Sequence, residues 1–123
     1  MYYLLAIGLG GFLGAVSRYL LSTWVQRLGS FPFGTLAVNV LGCFAIGMLW
    51  ALAREREEFS PNVQAFLAVG FLGSFTTFST FGLESLYLLR NDHLVQAGAS
   101  IIANVTLGLL AVALGRALVL RFL

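Results

Sequence analysis

The chain has 123 residues, 59% of them hydrophobic and only 10% charged, and its seven basic residues are all arginines. A water-soluble domain of this size needs roughly a quarter of its residues charged to cover its surface, so lipid is the natural solvent. A net charge of +2, with no basic run and no interleaving of basic and aromatic residues, excludes a nucleic-acid partner.

Four apolar stretches are each long enough to cross a hydrocarbon core, which takes about 20 helical residues. The first runs from Tyr2 to Val25. It lacks a basic leader and a cleavage site, so it reads as a retained span. Gly10 and Gly14 form a G-x-x-x-G spacing that lets helix backbones approach closely. Gly8 and Gly10 are no dinucleotide fingerprint, because Leu13 occupies the third glycine position and no strand precedes it. Arg18 is a full charge inside an apolar span, which is costly unless it snorkels, pairs or faces water. It is either a helix-end anchor or a cation in an aqueous vestibule that draws in an anion. Turn residues Gly29, Ser30 and Pro32 then reverse the chain.

The second span runs from Phe33 to Ala53, and Thr35 and Asn39 share one face of it. With two N–H donors and one acceptor, Asn39 can glue helices together or line a pore as a donor to an anion. Cys43 is the single cysteine, which excludes an intrachain disulfide. The charged run Arg54-Glu55-Arg56-Glu57-Glu58, followed by Ser60 and Pro61, predicts a helix end, a loop and a new helix with proline in its first turn.

The third span, Val63 to Leu89, is the most informative. Five of the seven residues from Ser74 to Thr80 carry hydroxyls. That is too polar for a lipid-facing stripe and poor in helix propensity. The segment predicts a broken helix at mid-membrane, against the alternative of a continuous, hydroxyl-rich one. Irregular backbone at that depth must be buried in protein or line a cavity, and such breaks commonly free backbone groups for ions. Glu84 is the only carboxylate within any span. It can pair with Arg18, sit at a pore mouth or act as a proton-linked group.

The fourth span runs from Leu94 to Leu120, with Ser100, Asn104 and Gly108 recurring every four residues as a polar stripe. His93 is the only histidine and falls in a loop. No cluster has metal-ligand spacing and no nucleophile–histidine set can form, so the chain is not an enzyme. The short loops make consecutive spans antiparallel neighbours in a single domain over residues 1–123. Both termini then lie on one side with Arg54, Arg56, Arg116 and Arg121, against Arg27 and Arg90 on the other. So small an arginine bias predicts insertion in both orientations.

Three motifs, G-G-x-x-G-A-x-x-R-Y at Gly10–Tyr19, G-T-x-x-V-N-x-x-G at Gly34–Gly42 and G-x-x-G-S-F-T-T-F-S-T-F-x-x-E at Gly70–Glu84, resemble the Fluc (CrcB) fluoride channels. The resemblance covers the whole chain. It implies an all-α membrane protein of four transmembrane helices with a broken third helix, assembled as an antiparallel, dual-topology homodimer in the cytoplasmic (bacterial inner) membrane. It further implies passive, fluoride-selective export through two pores, in contact with membrane lipid, and a structural sodium ion (Na+) at the dimer centre. Carried onto this chain, Phe78 and Phe81 stand beside the fluoride path, Asn39 faces them, and Ser79 and Thr80 form a hydroxyl track. The carbonyls of Gly73 and Thr76 are the sodium ligands; from their own chemistry, Thr35 and the Ser100–Asn104 stripe are candidates to extend the path, and Arg18 and Glu84 are candidates for its vestibule. Ser74 stands where many members have glycine.

Two other function classes compete. A proton-coupled small multidrug transporter also uses four short spans, but it needs a carboxylate in its first span, where this chain has none. A non-transporting membrane subunit gains nothing from polar, irregular backbone in lipid.

Overall fold

The computed structural model describes residues 2–56 and 59–123, without the side chains of Glu55 and Arg56. Part of the charged run after Ala53, namely Glu57 and Glu58, lies outside the described residues. Every element is helical: α1 Tyr2–Gln26, α2 Phe33–Arg56, α3 Pro61–Gln64, a π-helical segment Ala65–Leu72, α4 Gly73–Phe75, α5 Phe78–Arg90 and α6 Leu94–Phe122. Four helical stretches are long and apolar enough to span a membrane, the third being Pro61–Arg90. The helices overrun the hydropathy boundaries by one to three residues, because a hydrogen-bonded ladder continues through end residues such as Arg54 whose long side chains reach back to water.

Local chemistry sets the ends. Ser60 caps α3, accepting from the Val63 amide at 3.4 Å, with Pro61 at the first helical position. The α1–α2 turn is held by one side chain. Gln26 Nε2 donates to the carbonyls of Gly29 at 2.9 Å and Phe31 at 2.8 Å, while its Oε1 accepts from the Gly34 amide at 3.1 Å. Asp92 sits in the left-handed region at φ 60° and closes the turn before α6.

The interior inverts the pattern of a soluble protein. The largest fully buried side chains are only Val38 and Ser100 among the described residues, and much of the rest of the core is small residues such as Ala51, Ala65 and Ala97. Large apolar side chains, among them Leu9, Phe12, Leu109 and Leu114, point outward. Lipid does not drive helices together hydrophobically, so close backbone contact has to do so. No glycine here adopts positive φ among the described residues; their use is the missing Cβ. A Cβ on Gly10 would run into the Phe66 carbonyl, and one on Gly14 into the Phe71 carbonyl. Four residues along α1 are thus matched by five along the π segment. On the other side of the bundle, a Cβ on Gly47 would strike the Val112 carbonyl of α6, and one on Gly115 the Phe44 carbonyl of α2.

After Phe75 the chain leaves helical geometry. Thr76 (φ −89°, ψ 156°) and Thr77 (φ −149°, ψ 109°) are extended, and α5 begins at Phe78 with Thr77 as its N-cap.

Candidate functional site

The site forms where α2, α5 and α6 meet the two extended threonines. Asn39 holds both backbone groups of Thr77. Its Oδ1 accepts from the Thr77 amide at 2.8 Å, and its Nδ2 donates to the Thr77 carbonyl at 3.2 Å. The same Nδ2 also donates to Asn104 Oδ1 at 3.0 Å. Asn104 in turn donates to the Ser100 carbonyl at 2.9 Å. Spans two, three and four are therefore linked by one chain of amide hydrogen bonds. In this arrangement both Nδ2 hydrogens of Asn39 are engaged within the chain.

The hydroxyls gather around the cap. Thr77 Oγ1 accepts from the Thr80 amide at 3.2 Å, lies 3.0 Å from Thr80 Oγ1, and is 3.3 Å from Ser79 Oγ. Ser79 and Thr80 remain exposed on the chain surface. Phe78 and Phe81 meet edge to face, with ring centroids 5.4 Å apart at 61°. Phe81 is buried at 8% exposure, whereas Phe78 projects outward at 83%. A cavity of ≈ 390 Å³ opens between these groups, lined by Asn39, Cys43, Thr76, Phe78, Phe81 and Asn104 among others.

The diversion of two amides has a consequence for the carbonyls beneath them. In an uninterrupted helix the Thr77 amide would bond the Gly73 carbonyl and the Thr80 amide the Thr76 carbonyl. Here the first bonds Asn39 and the second bonds Thr77 Oγ1. The Thr76 amide bonds Leu72 rather than Gly73. The carbonyls of Gly73 and Thr76 thus lose their helical donors, and carbonyl oxygens are hard donors suited to a small alkali cation. Among the described residues, no group of His, Cys, Asp and Glu could hold a metal by side chains.

The chain matches the family model described as "CrcB-like protein, Camphor Resistance (CrcB)" over residues 5–116. The chain belongs to the CrcB family. It is 49% identical over 117 residues to the "Fluoride-specific ion channel FluC" of Shewanella halifaxensis, covering 94% of each chain. It is 47% identical to the protein of the same name from Hahella chejuensis, over 94% of this chain and 93% of that one. "Fluoride-specific ion channel FluC 1" of Methanosarcina acetivorans is 46% identical over 94% of this chain and 89% of its own.

Within this CrcB-family chain, the other sequence-predicted residues fall in a second place. Thr35 is buried and donates to Glu84 Oε1 at 2.8 Å, while Glu84 Oε2 is buried with no hydrogen-bond partner among the described residues. Glu84 lines a cavity of ≈ 420 Å³ with Gln26, Ser30, Pro32, Leu83, Tyr87 and Leu88. Arg18 is half-buried and bonds to neither Glu84 oxygen. Two residues were missed from the sequence. Thr77 organises the centre, and its capping role was readable in the T-x-x-T spacing of Thr77 and Thr80. Gln26 shapes the second cavity, and nothing in the sequence marked it apart from its place before a turn.

Proposed function

We infer that this chain is a fluoride-specific ion channel that carries fluoride passively out of the cell. The observation that carries the reading is identity of 46–49% along 94% of the chain to proteins bearing that name. The competing transporter class is not favoured, since α1 contains no acidic residue for proton exchange.

The geometry supplies a physical route. Fluoride is small and strongly hydrated, so a pore must offer replacement donors and still let go of the ion. Ser79 and Thr80 present hydroxyls beside the cavity, and ring edges of Phe78 and Phe81 carry the partial positive charge that attracts an anion weakly. Asn39 contributes by fixing Thr77, which orients the hydroxyl cluster; Ser100 and Asn104 back it from α6. Glu84 lines the second cavity with Thr35 bonded to it from behind, and Arg18 serves as the cation that enriches anions at the mouth.

The assembly in this reading is a homodimer of oppositely oriented subunits in the cytoplasmic membrane, surrounded by lipid. The exposed Phe78, Gly73 and the open side of the first cavity are the surfaces a second subunit would cover. The interruption at Thr76–Thr77 then lies at mid-membrane. The carbonyls of Gly73 and Thr76 from each subunit would hold a sodium ion, whose charge offsets the cost of unpaired backbone in lipid. Replacing sodium by N-methyl-D-glucamine should abolish flux while α-helicity by circular dichroism is retained. Tags at either terminus should be accessible from both sides of the membrane; labelling from one side alone would rule out the opposed dimer.

The decisive experiment is fluoride efflux from liposomes holding the purified protein, with potassium ionophore and no proton gradient. Electrode-detected efflux is expected. Flux that requires an imposed proton gradient would sink the channel reading in favour of a carrier.

A further inference from the structure

At the end of the bundle opposite the second cavity, α2 and α6 interlock. Gly47 lies against Val112 and Gly115 against Phe44, so closely that neither glycine could carry a Cβ without displacing backbone. This crossing brings the next turn of α2 beside Arg116 of α6. Trp50 lies there, with the Arg54 guanidinium carbon 4.9 Å from its ring centroid and that of Arg116 at 5.7 Å. One arginine comes from the same helix, one turn on; the other comes across the crossing. Two cations therefore converge on one indole, and all three residues are exposed, Trp50 by 47%.

Two like charges held near one ring repel each other unless an anion lies between or beside them. The cation–π contact uses each guanidinium's face and charge, and leaves its in-plane N–H fork to bind oxygens bidentately. Tryptophan at the end of a span sits at headgroup depth. A doubly cationic, half-exposed indole at that depth matches a lipid phosphodiester, with acyl chains running down the outward-facing leucines of α6.

We propose that Trp50, Arg54 and Arg116 form a binding site for the headgroup of an anionic phospholipid. The site lies apart from the fluoride path, and its test does not depend on flux. The chain has two tryptophans, so W24F leaves Trp50 as the only fluorescent indole. The full-length variant is placed in bilayers of equal phosphatidylcholine and phosphatidylglycerol, with bromine on the acyl chains of one lipid or the other. Trp50 should be quenched more by brominated phosphatidylglycerol, with a relative binding constant about tenfold in its favour at low salt. R54Q or R116Q should lower that preference to about threefold, and the double variant should remove it. Equal quenching by the two lipids in W24F overturns the proposal. A preference that survives R54Q/R116Q overturns it as well. Loss of the preference in millimolar inorganic phosphate would assign the site to free phosphate instead of lipid. The comparison in W24F stands by itself should the double variant not fold.

Discussion

Two of the seams that hold this bundle together are built on opposite principles. Along α1 and the π segment, glycines bring backbones into contact by having nothing to offer: Gly10 and Gly14 lie on the carbonyls of Phe66 and Phe71. Where α2, α5 and α6 meet the two extended threonines, contact is made by groups that each need a partner: Asn39, Thr77 and Asn104 are joined by hydrogen bonds of 2.8–3.2 Å. The first seam is satisfied by shape and leaves no chemistry over. The second leaves residues of demand, such as the carbonyls of Gly73 and Thr76 and the free oxygen of Glu84. Ligand chemistry belongs to the seam whose accounts do not close.

That contrast can be broken most severely at the glycine seam. A methyl group on Gly14 would meet the oxygen, carbon and Cα of Phe71, all backbone. Gly14→Ala should cost about 3 kcal/mol, read as loss of monodisperse protein on size exclusion, with no variant that flows poorly yet folds. The polar seam should behave in the opposite way. Phe81→Ile keeps bulk and apolarity but removes the ring edge, so flux should fall severely while the assembled protein elutes unchanged. Normal flux in that variant would mean the rings only pack.

Smaller effects sharpen the comparison. Asn39→Asp keeps the acceptor for the Thr77 amide but loses the donors to Thr77 and Asn104, so flux should drop about tenfold or more in protein that still folds. Thr77→Val removes the cap of α5 at about 1 kcal/mol, measurable by urea or thermal denaturation in detergent, and Thr77→Ser should restore it. At the far end of the scale, a Cβ on Gly8 meets nothing within 4 Å. Gly8→Ala should leave flux unchanged and stabilise α1 by up to about 1 kcal/mol.

The sequence made the spans legible because hydropathy and turn chemistry are local. Ser60 and Pro61 marked the start of α3 for the same reason. Pairings across the chain were not legible. Asn39 and Thr77 are 38 residues apart, and Thr35 and Glu84 are 49 apart. The donors among them, Asn39 and the threonine hydroxyls, have a local alternative, a carbonyl one turn back, as Thr76 uses toward Leu72 and Thr106 toward Ile102. Only the three-dimensional fold decides which hydroxyl takes the local bond and which crosses to another helix. Glu84 illustrates this: Arg18 was the one partner the sequence suggested for it, and the structure gives it Thr35.

The π-helical run has a consequence for how the third span can be drawn. An α-helical wheel advances about 100° per residue, whereas each turn from Ala65 to Leu72 closes its hydrogen bond one residue later. The run therefore acts as a vernier, ticking in fives against the fours of α1. A wheel drawn from Pro61 as though the span were α throughout accumulates an angular error before it reaches Gly73, and sorts the residues beyond onto the wrong sides. Losing one residue inside the run would let it wind back to α geometry and turn the Gly73–Phe75 segment about its own axis, moving the two threonines away from Asn39 without altering a single side chain among them.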